Sequence, residues 1–359
     1  MKKLGFGLMR LPQKDDKLDI EQIKDMVDRF LANGFTYFDT AWMYCGGESE
    51  NAVREALVSR HPRDSFLLAD KLHCGYFNTK EEREEYFETQ LKKTGAGYFD
   101  YYLIHCINRD MYKKHTELDS FSWLIEKKKQ GLVKKIGFSF HDSAEFLEGV
   151  IAAHPEFEFV QLQINYLDWE SQRVQSRLCY ETARRHGLPI IIMEPVKGGT
   201  LAKLPQAAEA LFKAHLPDMS VPSWAIRFCA GLPGVMLVLS GMSDLCQLED
   251  NMSYMSDFSP LDDTEQDIIK KATAHIIDGR MIQCTGCEYC VGGCPSGIAI
   301  PSLFKLYNED SRVDKTDKAA YGDIGTPASS CIECGACVDA CPQKLDIPEL
   351  LKKLTKKYE

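Results

Sequence analysis

The sequence lacks several features that would assign this chain of 359 residues to particular classes of protein. No apolar run approaches the length of about 18 residues that marks a membrane-spanning helix. The N-terminus lacks the positively charged segment followed by an apolar one that marks a secretory signal peptide. The formal net charge of −10 argues against nucleic acid or an anionic membrane surface as a partner. Together these absences predict a cytoplasmic protein that binds neither nucleic acid nor membranes.

A glycine-rich turn for binding dinucleotides is also missing. A doubly wound α/β sheet should carry a G-x-G-x-x-G turn after its first strand. Here the segment Gly5-Phe6-Gly7 is followed by Leu8 and Met9, and Arg10 stands where the third glycine would be. The doubly wound sheet is therefore the less favoured of two α/β folds.

The first 256 residues instead alternate between short β-rich stretches and stretches with helical periodicity. The expected strands are 4–8, 35–38, 66–71, 98–104, 132–138, 157–163, 189–193 and 234–239. The expected helices are 19–33, 48–60, 80–94, 117–130, 143–153, 170–186, 204–230 and 243–256. Eight strands and eight helices in this length predict an α/β fold of the (β/α)8 TIM barrel type.

Cysteine is abundant, and eight of the 14 cysteines form two runs near the C-terminus. Each run reads C-x2-C-x2-C-x3-C-P, and the cysteines are Cys284, Cys287, Cys290 and Cys294, then Cys331, Cys334, Cys337 and Cys341. The two-residue gaps let three thiolates converge from one tight loop, and a remote fourth thiolate completes the set. A zinc site favours paired C-x2-C units and a disulfide framework favours a small secreted chain, so the doubled run fits neither.

The doubled run resembles that of bacterial two-cluster ferredoxins, in which the fourth cysteine of each run ligates the other 4Fe–4S cluster. The resemblance implies two 4Fe–4S clusters, one on Cys284, Cys287, Cys290 and Cys341 and the other on Cys331, Cys334, Cys337 and Cys294. So many thiols without a secretion signal also predict a reducing compartment and suggest an anaerobic host.

The expected domain organisation follows from the two patterns. The barrel should span residues 1–256, and a helical connector, with a helix at about 262–277, should span residues 257–280. A small, mainly helical, ferredoxin-like domain should span residues 281–359, with helices at 301–308 and 349–357 and a loop at 311–330.

Polar residues follow three of the expected strands at the end where barrel active sites lie. They are Asp39 and Tyr44 after the second strand, Lys71 at the end of the third and His105 at the end of the fourth. Each one alone has a structural explanation, such as a helix cap, a rim charge or a buried histidine. As a set, within Phe38-Asp39-Thr40-Ala41, Ala69-Asp70-Lys71 and Tyr101-Tyr102-Leu103-Ile104-His105, they resemble the catalytic tetrad of the aldo-keto reductase family.

The resemblance implies a role for each member of the set. Tyr44 would be the general acid that protonates a carbonyl oxygen while a nicotinamide donates hydride to the carbon. Lys71, held by an ion pair with Asp39, would lower the phenol pKa. His105 would donate a hydrogen bond to the substrate carbonyl and orient it.

The resemblance also implies an NAD(P)H site. Ser139 and Gln161 match positions that hold the nicotinamide carboxamide, and Met193 stands where the family usually has an aromatic residue that stacks on the ring. Gly198 and Gly199 would let the backbone approach the pyrophosphate, with a plain turn as the equal alternative.

The last expected cofactor contact is a helix N-terminus near Met242 and Ser243, which would bind a phosphate. Gly241 and Gln247 stand where the family often places cations against a 2′-phosphate. The choice between NAD and NADP therefore stays open.

The expected function is that of an oxidoreductase that reduces a carbonyl or oxidises an alcohol, with two clusters for electron transfer. Nicotinamide transfers two electrons as hydride, whereas each cluster transfers one, and a flavin usually mediates between them. No flavin site is readable. The expected partners are a small carbonyl or alcohol substrate and a ferredoxin or flavodoxin. The alternative is an electron-transfer protein or ferredoxin-linked reductase whose clusters, with a flavin, feed electrons to a substrate or partner, the barrel being a scaffold.

Overall fold

Eight parallel strands close into a barrel in the computed structural model, which describes residues 2–277, 281–312 and 315–359. In chain order the barrel strands are β1 (Leu4–Gly7), β2 (Tyr37–Asp39), β3 (Leu67–Leu72), β4 (Phe99–Ile107), β5 (Val133–Phe140), β6 (Phe159–Gln163), β7 (Ile190–Met193) and β8 (Val235–Ser240). Each strand pairs with its neighbour in the chain, and β1 pairs with β8 to close the ring. The (β/α)8 expectation is confirmed.

Helices alternate with the barrel strands. They are Ile20–Ala32, Ser49–Val53 with the π-helical turn Arg54–Val58, Lys80–Thr94, Arg109–Glu117, Ser120–Lys129, Ala144–Ala153, Ser176–Arg185, Gln206–His215, Val221–Gly231 and Leu245–Met255. Several begin where a polar side chain accepts a hydrogen bond from the first turn. Asp19, Thr79 and Ser143 each accept from the backbone N–H three residues on, which satisfies a donor that the helix cannot pair.

Three local features differ from the sequence expectation. The helix expected at 204–230 is two helices, because the segment between His215 and Val221 contains Pro217, which cannot continue a hydrogen-bonded helix. The helix Arg109–Glu117, capped by the Asn108 side chain, was not expected. A hairpin of Gln13–Lys14 and Lys17–Leu18 was also missed. The two turn residues of this hairpin, Asp15 and Asp16, have positive φ, as a two-residue type I′ turn requires.

The chain folds into two compact units that do not follow chain order. Unit 1 contains the barrel strands and comprises Met1–Glu170, Gln175–Pro195 and Ala225–Leu261. Unit 2 comprises Ser171–Val174, Val196–Trp224 and Asp262–Glu359. The expected boundaries at 256 and 280 stay a prediction.

Unit 2 is mainly helical. It includes the helix Gln206–His215, and from residue 262 onward its described helices are Asp263–Ile277, Ile300–Arg312, Lys318–Asp323, Ala336–Asp339 and Ile347–Tyr358. The loop expected at 311–330 therefore contains a short helix, which Asp317 caps through the Ala320 N–H. Residues 278–280 of the expected connector, and 313–314 of the expected loop, lie outside the described residues. Within the described parts of the chain, no helix is both long enough and apolar enough to cross a membrane.

The barrel interior has an apolar layer in which large rings face small residues. Its buried members are Tyr37, Ala69, Tyr101, Leu103, Phe159, Ile191, Leu237 and Leu239. Two glycines make room for these side chains. A Cβ on Gly137 would lie 2.6 Å from the Phe159 ring and the Phe159 carbonyl oxygen, and one on Gly5 would lie 2.7 Å from Leu237. Glycine at both positions is therefore a packing requirement.

We predict that Gly137→Ala destabilises the barrel, because the added methyl group overlaps the Phe159 backbone as well as its ring. Overpacking of this kind costs about 1–3 kcal/mol of unfolding free energy. Urea denaturation followed by circular dichroism should show a lower midpoint. The matched control is Gly149→Ala within the helix Ala144–Ala153, where a Cβ meets no atom within 4 Å. The control should gain up to about 1 kcal/mol from the better helix former. Equal midpoints for the two variants would contradict the packing argument.

Candidate active site and cluster-binding cysteines

A layer of polar side chains follows the apolar layer toward the carboxyl ends of the barrel strands. Successive residues of a strand alternate between its two faces, so a residue two positions after an inward residue also points inward. Tyr37, Ala69, Leu103, Gly137 and Phe159 contribute to the apolar layer or to its packing. The residues two positions on are Asp39, Lys71, His105, Ser139 and Gln161. Three of the four tetrad candidates and two cofactor candidates therefore share one inward-facing layer.

Lys71 lies at the centre of this layer and is fully buried. Its Nζ donates to Asp39 Oδ1 at 2.5 Å, to the Thr40 carbonyl oxygen at 2.7 Å and to the Tyr44 hydroxyl at 3.1 Å. Tyr44 reaches this position from the 3-10 turn Tyr44–Gly47 after β2. The structure thus brings Asp39, Tyr44 and Lys71 into direct contact.

The electrostatics of the pair Tyr44 and Lys71 differ in part from the expectation. Burial lowers the pKa of Lys71, but Asp39 and Tyr44 together raise it by more, so the net shift is upward and the ammonium stays protonated. Burial raises the pKa of Tyr44 to about 12, although the Lys71 ammonium lowers it as expected. The phenol is therefore held in its protonated form, the form that a general acid needs.

His105 is buried and neutral. Burial, with the nearby His73, lowers the pKa of His105 well below its ordinary value. Its Nδ1 has no hydrogen-bond partner among the described residues. The His105 ring lies edge-on to Tyr44, with 6.4 Å between centroids, and edge-on to His73, with 5.3 Å between centroids. A neutral imidazole with an unused ring nitrogen can donate a hydrogen bond to a substrate oxygen.

An irregularity in β4 supports the position of His105. The register between β4 and β5 shifts between Ile104 and Ile107, and Cys106 has a positive φ of 58°. Such a bulge leaves a backbone group unpaired in the ladder and re-aims a side chain. The Cys106 N–H donates to Ser139 Oγ at 2.8 Å, so Ser139 holds the bulge. Neither the bulge nor this contact is readable from the sequence.

Gln161 lies within β6, two residues before the strand ends at Gln163, where the expected strand also ends. Gln161 Nε2 donates to Asp39 Oδ2 at 3.3 Å and so joins the Lys71 network. Gln163, which points to the same face two residues later, donates to Asp168 Oδ2 at 3.3 Å and is a polar group that the sequence analysis overlooked.

Two other expected cofactor segments lie at the end of β7 and in the turn after it. Met193 is half-buried and ends β7. Gly198 and Gly199 both have positive φ, and a Cβ on Gly198 would lie 2.1 Å from the Thr285 carbonyl oxygen. The absence of a side chain at Gly198 therefore allows its backbone to pack directly against the backbone of the first cysteine run. The pyrophosphate role of this turn stays a prediction.

Side chains of the protein already accept hydrogen bonds from the backbone N–H groups at the expected phosphate site after β8. The helix begins at Leu245, and the Asp244 carboxylate accepts from the Gln247 N–H at 2.8 Å. The Ser243 N–H donates to Gln247 Oε1 at 3.0 Å, and Met242 is buried. A phosphate at this terminus would compete with the Asp244 carboxylate for these donors.

A second network behind β3 holds the Lys71 backbone, and the sequence analysis missed it. Gln90 Nε2 donates to Glu50 Oε1 and Asp70 Oδ1, both at 2.9 Å, and to the Lys71 carbonyl oxygen at 3.1 Å. Burial and the nearby Glu50 raise the pKa of Asp70 well above its ordinary value. The available signal was Asp70 itself, because a carboxyl residue within a buried strand must find buried hydrogen-bond partners.

The eight run cysteines lie in two sets in unit 2. One cavity is lined by Cys284, Cys287, Cys290 and Cys341, and another by Cys331, Cys334, Cys337 and Cys294. Burial, followed by the nearby Cys287, Cys284 and Cys341, raises the pKa of Cys290 to about 12, so these thiols share one site. The fourth cysteine of each run is thus grouped with the other run.

The thiol sets suit a cluster better than a single metal ion. Among the described residues, no three His, Cys, Asp or Glu side chains converge closely enough to hold one ion. Each set of four sulfurs instead surrounds a cavity. Four thiolates around a cavity are the donor set of a 4Fe–4S cluster, so the residues fit the implied group.

The sequence matches known protein families in two regions. The sequence matches the Aldo/keto reductase family over residues 3–274 and a 4Fe-4S dicluster domain over residues 283–345. The first match covers most of the chain, and the chain therefore belongs to the aldo/keto reductase family. It is an oxidoreductase of that family joined to an iron–sulfur dicluster domain.

Two relatives show how far the sequence likeness extends. An uncharacterized oxidoreductase of Schizosaccharomyces pombe is 26% identical over 266 residues, which cover 70% of this chain and 80% of that protein. The methylglyoxal reductase of Salmonella typhimurium is 27% identical over 224 residues, which cover 62% of this chain and 78% of that protein.

Two solved structures share the fold. An aldo-keto reductase from Bacillus halodurans is 24% identical with a TM-score of 0.61, covering 75% of this chain and 91% of that one. An aldo-keto reductase from Klebsiella pneumoniae, solved in complex with NADPH, is 18% identical with a TM-score of 0.62, covering 79% of this chain and 94% of that one. Both likenesses concern the barrel fold.

We predict that buried neutral histidines make unit 1 sensitive to acid. Burial, with the nearby charges of Lys114 and Arg83, lowers the pKa of His115 to about 3. An ordinary unfolded histidine titrates near pH 6.5. The contribution of His115 to stability is thus complete above pH 6.5 and is lost as the pH falls from 6.5 toward 3, because only the unfolded chain takes up the proton. The loss at pH 5 should be about 2 kcal/mol.

The test is His115→Phe, since His115 packs between the rings of Phe77 and Phe121. Urea denaturation at pH 7.5 and pH 5 should show a smaller loss of stability in this variant than in the parent protein. His275→Phe, at an exposed position, is the control and should keep the parental loss. An unchanged loss in His115→Phe would count against the assignment.

Proposed function

We propose that the protein reduces a small carbonyl compound, or oxidises the corresponding alcohol, with NAD(P)H, and that Asp39, Tyr44, Lys71 and His105 carry the reaction. The observation that carries the proposal is the contact of one buried ammonium, that of Lys71, with both the Asp39 carboxylate and the Tyr44 hydroxyl. This arrangement places a proton donor beside a fixed positive charge. It suits protonation of an oxygen on which negative charge develops.

Each residue has a separate role in that reaction. A bound nicotinamide supplies or accepts the hydride. Tyr44 donates its phenolic proton to the substrate oxygen, and the Lys71 ammonium stabilises the phenolate that remains. Asp39 keeps Lys71 protonated and in place. His105, being neutral, donates a hydrogen bond that orients the carbonyl. One hydride and one proton then account for the reduction.

Nicotinamide binding is supported by the family and by the Klebsiella pneumoniae structure, which was solved in complex with NADPH. Within this chain, an arginine lies near the position where the family often has a phosphate-binding cation. Arg10 Nη1 would lie 3.9 Å from a Cβ on Gly241, and Arg10 Nη2 lies 3.9 Å from Glu194 Oε1. The remaining contacts, at Ser139, Gln161, Met193, Gly198, Gly199, Met242 and Ser243, stay part of the proposal.

We further propose that the protein holds two 4Fe–4S clusters and that the fourth cysteine of each run binds the cluster of the other run. The proposed domains are a barrel at 1–256, a connector at 257–280 and a cluster domain at 281–359. The grouping of Cys341 and Cys294 with the opposite runs supports the crossing. The clusters would exchange single electrons with a ferredoxin or flavodoxin, with a flavin as the mediator to hydride chemistry. The cytoplasmic location and the anaerobic host stay predictions.

We predict that Tyr44→Phe lowers carbonyl reduction by about 10²–10⁴-fold while cofactor affinity changes little, because the phenolic proton acts only in the chemical step. The measurements are turnover of a panel of small aldehydes and ketones, including methylglyoxal, and titration of NADH and NADPH binding by fluorescence. Lys71→Met should lose turnover in the same way.

The control for this experiment is Tyr180→Phe. Tyr180 lies in the helix Ser176–Arg185, and its hydroxyl donates a hydrogen bond to the Pro233 carbonyl oxygen. This variant should keep parental turnover. Parental turnover in Tyr44→Phe would refute the tetrad assignment. Cofactor binding without reduction of any substrate in the panel by the parent protein would favour the electron-transfer alternative.

We predict about eight irons and eight sulfides per chain in anaerobically prepared protein. Pairs of substitutions test the crossed ligation. In Cys334→Ala/Cys294→Ala both changes fall on one cluster, so about four irons should remain. In Cys334→Ala/Cys341→Ala they fall on two clusters, so the iron content should approach zero. The reverse order of iron contents would mean that each run binds its own cluster.

A further inference from the structure

A buried lysine lies beside one of the two cysteine sets. Lys197 follows β7 in the chain and belongs to unit 2. It is 1% exposed, and its Nζ donates to Gln343 Oε1 at 3.0 Å. Gln343 is also buried and lines the cavity of Cys284, Cys287, Cys290 and Cys341. The ammonium thus donates a hydrogen bond to a residue that itself lines this cavity.

The backbone next to Lys197 is fixed against the same cysteine run. Gly198 has a φ of +61°, and a Cβ there would lie 2.1 Å from the carbonyl oxygen of Thr285, which directly follows Cys284. Lys197 itself has a positive φ of 48°. Close backbone packing in an uncommon conformation indicates that the position of Lys197 is set by the fold and not by chance.

The charges around the two cavities differ. The cavity of Cys294, Cys331, Cys334 and Cys337 is lined by no charged side chain among the described residues. The lining of the other cavity includes Glu288, which is exposed. Water and salt screen an exposed carboxylate, whereas a buried ammonium acts through a medium of lower polarity. The buried charge of Lys197 is therefore screened less than that of Glu288.

We propose that Lys197 raises the reduction potential of the cluster held by Cys284, Cys287, Cys290 and Cys341 and makes it the more easily reduced of the two. Reduction adds one electron and no proton, so the cluster with its four thiolates gains one negative charge. A buried cation nearby stabilises this more negative state, and net charge is one of the terms that set cluster potentials. The proposal rests on the two-cluster assignment above.

The experiment is a potentiometric titration of the full-length, anaerobically prepared protein with dithionite, followed by electron paramagnetic resonance. In Lys197→Met, which keeps the length of the side chain but removes its charge, the less negative of the two midpoint potentials should become more negative while the other stays unchanged. Lys305→Met, which removes an exposed lysine of the helix Ile300–Arg312, is the control and should leave both potentials unchanged.

Iron content separates this inference from the proposal on which it rests. A parent protein without about eight irons would refute the two-cluster assignment itself. Full iron with both potentials unchanged in Lys197→Met, or the same shift in Lys305→Met, would overturn the role of Lys197.

If Lys197→Met does not assemble both clusters, Lys197→Gln provides the second test. It removes the charge but keeps a polar side chain beside Gln343, and the less negative of the two potentials should become more negative. An unchanged or more positive potential in Lys197→Gln would then overturn the proposal.

Discussion

A buried ammonium group needs neighbouring residues that supply negative charge and hydrogen-bond acceptors. An ionised side chain removed from water, as Lys71 is here, costs several kcal/mol unless charge and hydrogen bonds compensate for it. Asp39, the Thr40 carbonyl and the Tyr44 hydroxyl supply that compensation, and Gln161 secures Asp39 in turn. The reactive groups are therefore held by strands β2, β3 and β6 together, in a geometry that does not depend on substrate.

The apolar layer below this site determines where along the barrel axis the site lies. Tyr37, Tyr101 and Phe159 fill the interior, and Gly137 and Gly5 leave the room that these rings need. Because the face of a strand repeats every two residues, the next inward positions are then the polar ones. The chemistry of the site is thus built on the packing of the layer beneath it, and a slip of one residue in any strand would remove its side chain from the site.

Much of this arrangement could be predicted from the sequence, because it depends on local patterns. The strands appear as short β-rich stretches, and the tetrad and the cysteine runs appear as residue types at fixed spacing. What could not be predicted depends on contacts between distant segments. The bulge at Cys106 is held by Ser139, Gln161 is drawn to Asp39, and Gly198 is matched to Thr285. The pKa of Tyr44 likewise depends on how far burial outweighs the Lys71 charge.

The segment Val196–Trp224 belongs to the cysteine-bearing unit although it stands between two barrel strands in the chain. Within this unit its helix Gln206–His215 packs against the helix Asp263–Ile277, and the Phe212 ring stacks on Trp224 at 4.4 Å. A chain shortened to end with the barrel's last helix would keep β7 and β8 but would remove Asp263–Ile277, the packing partner of the helix Gln206–His215. The barrel unit and the cysteine-bearing unit are therefore interleaved along the chain, and a single cut after Met255 would not separate them.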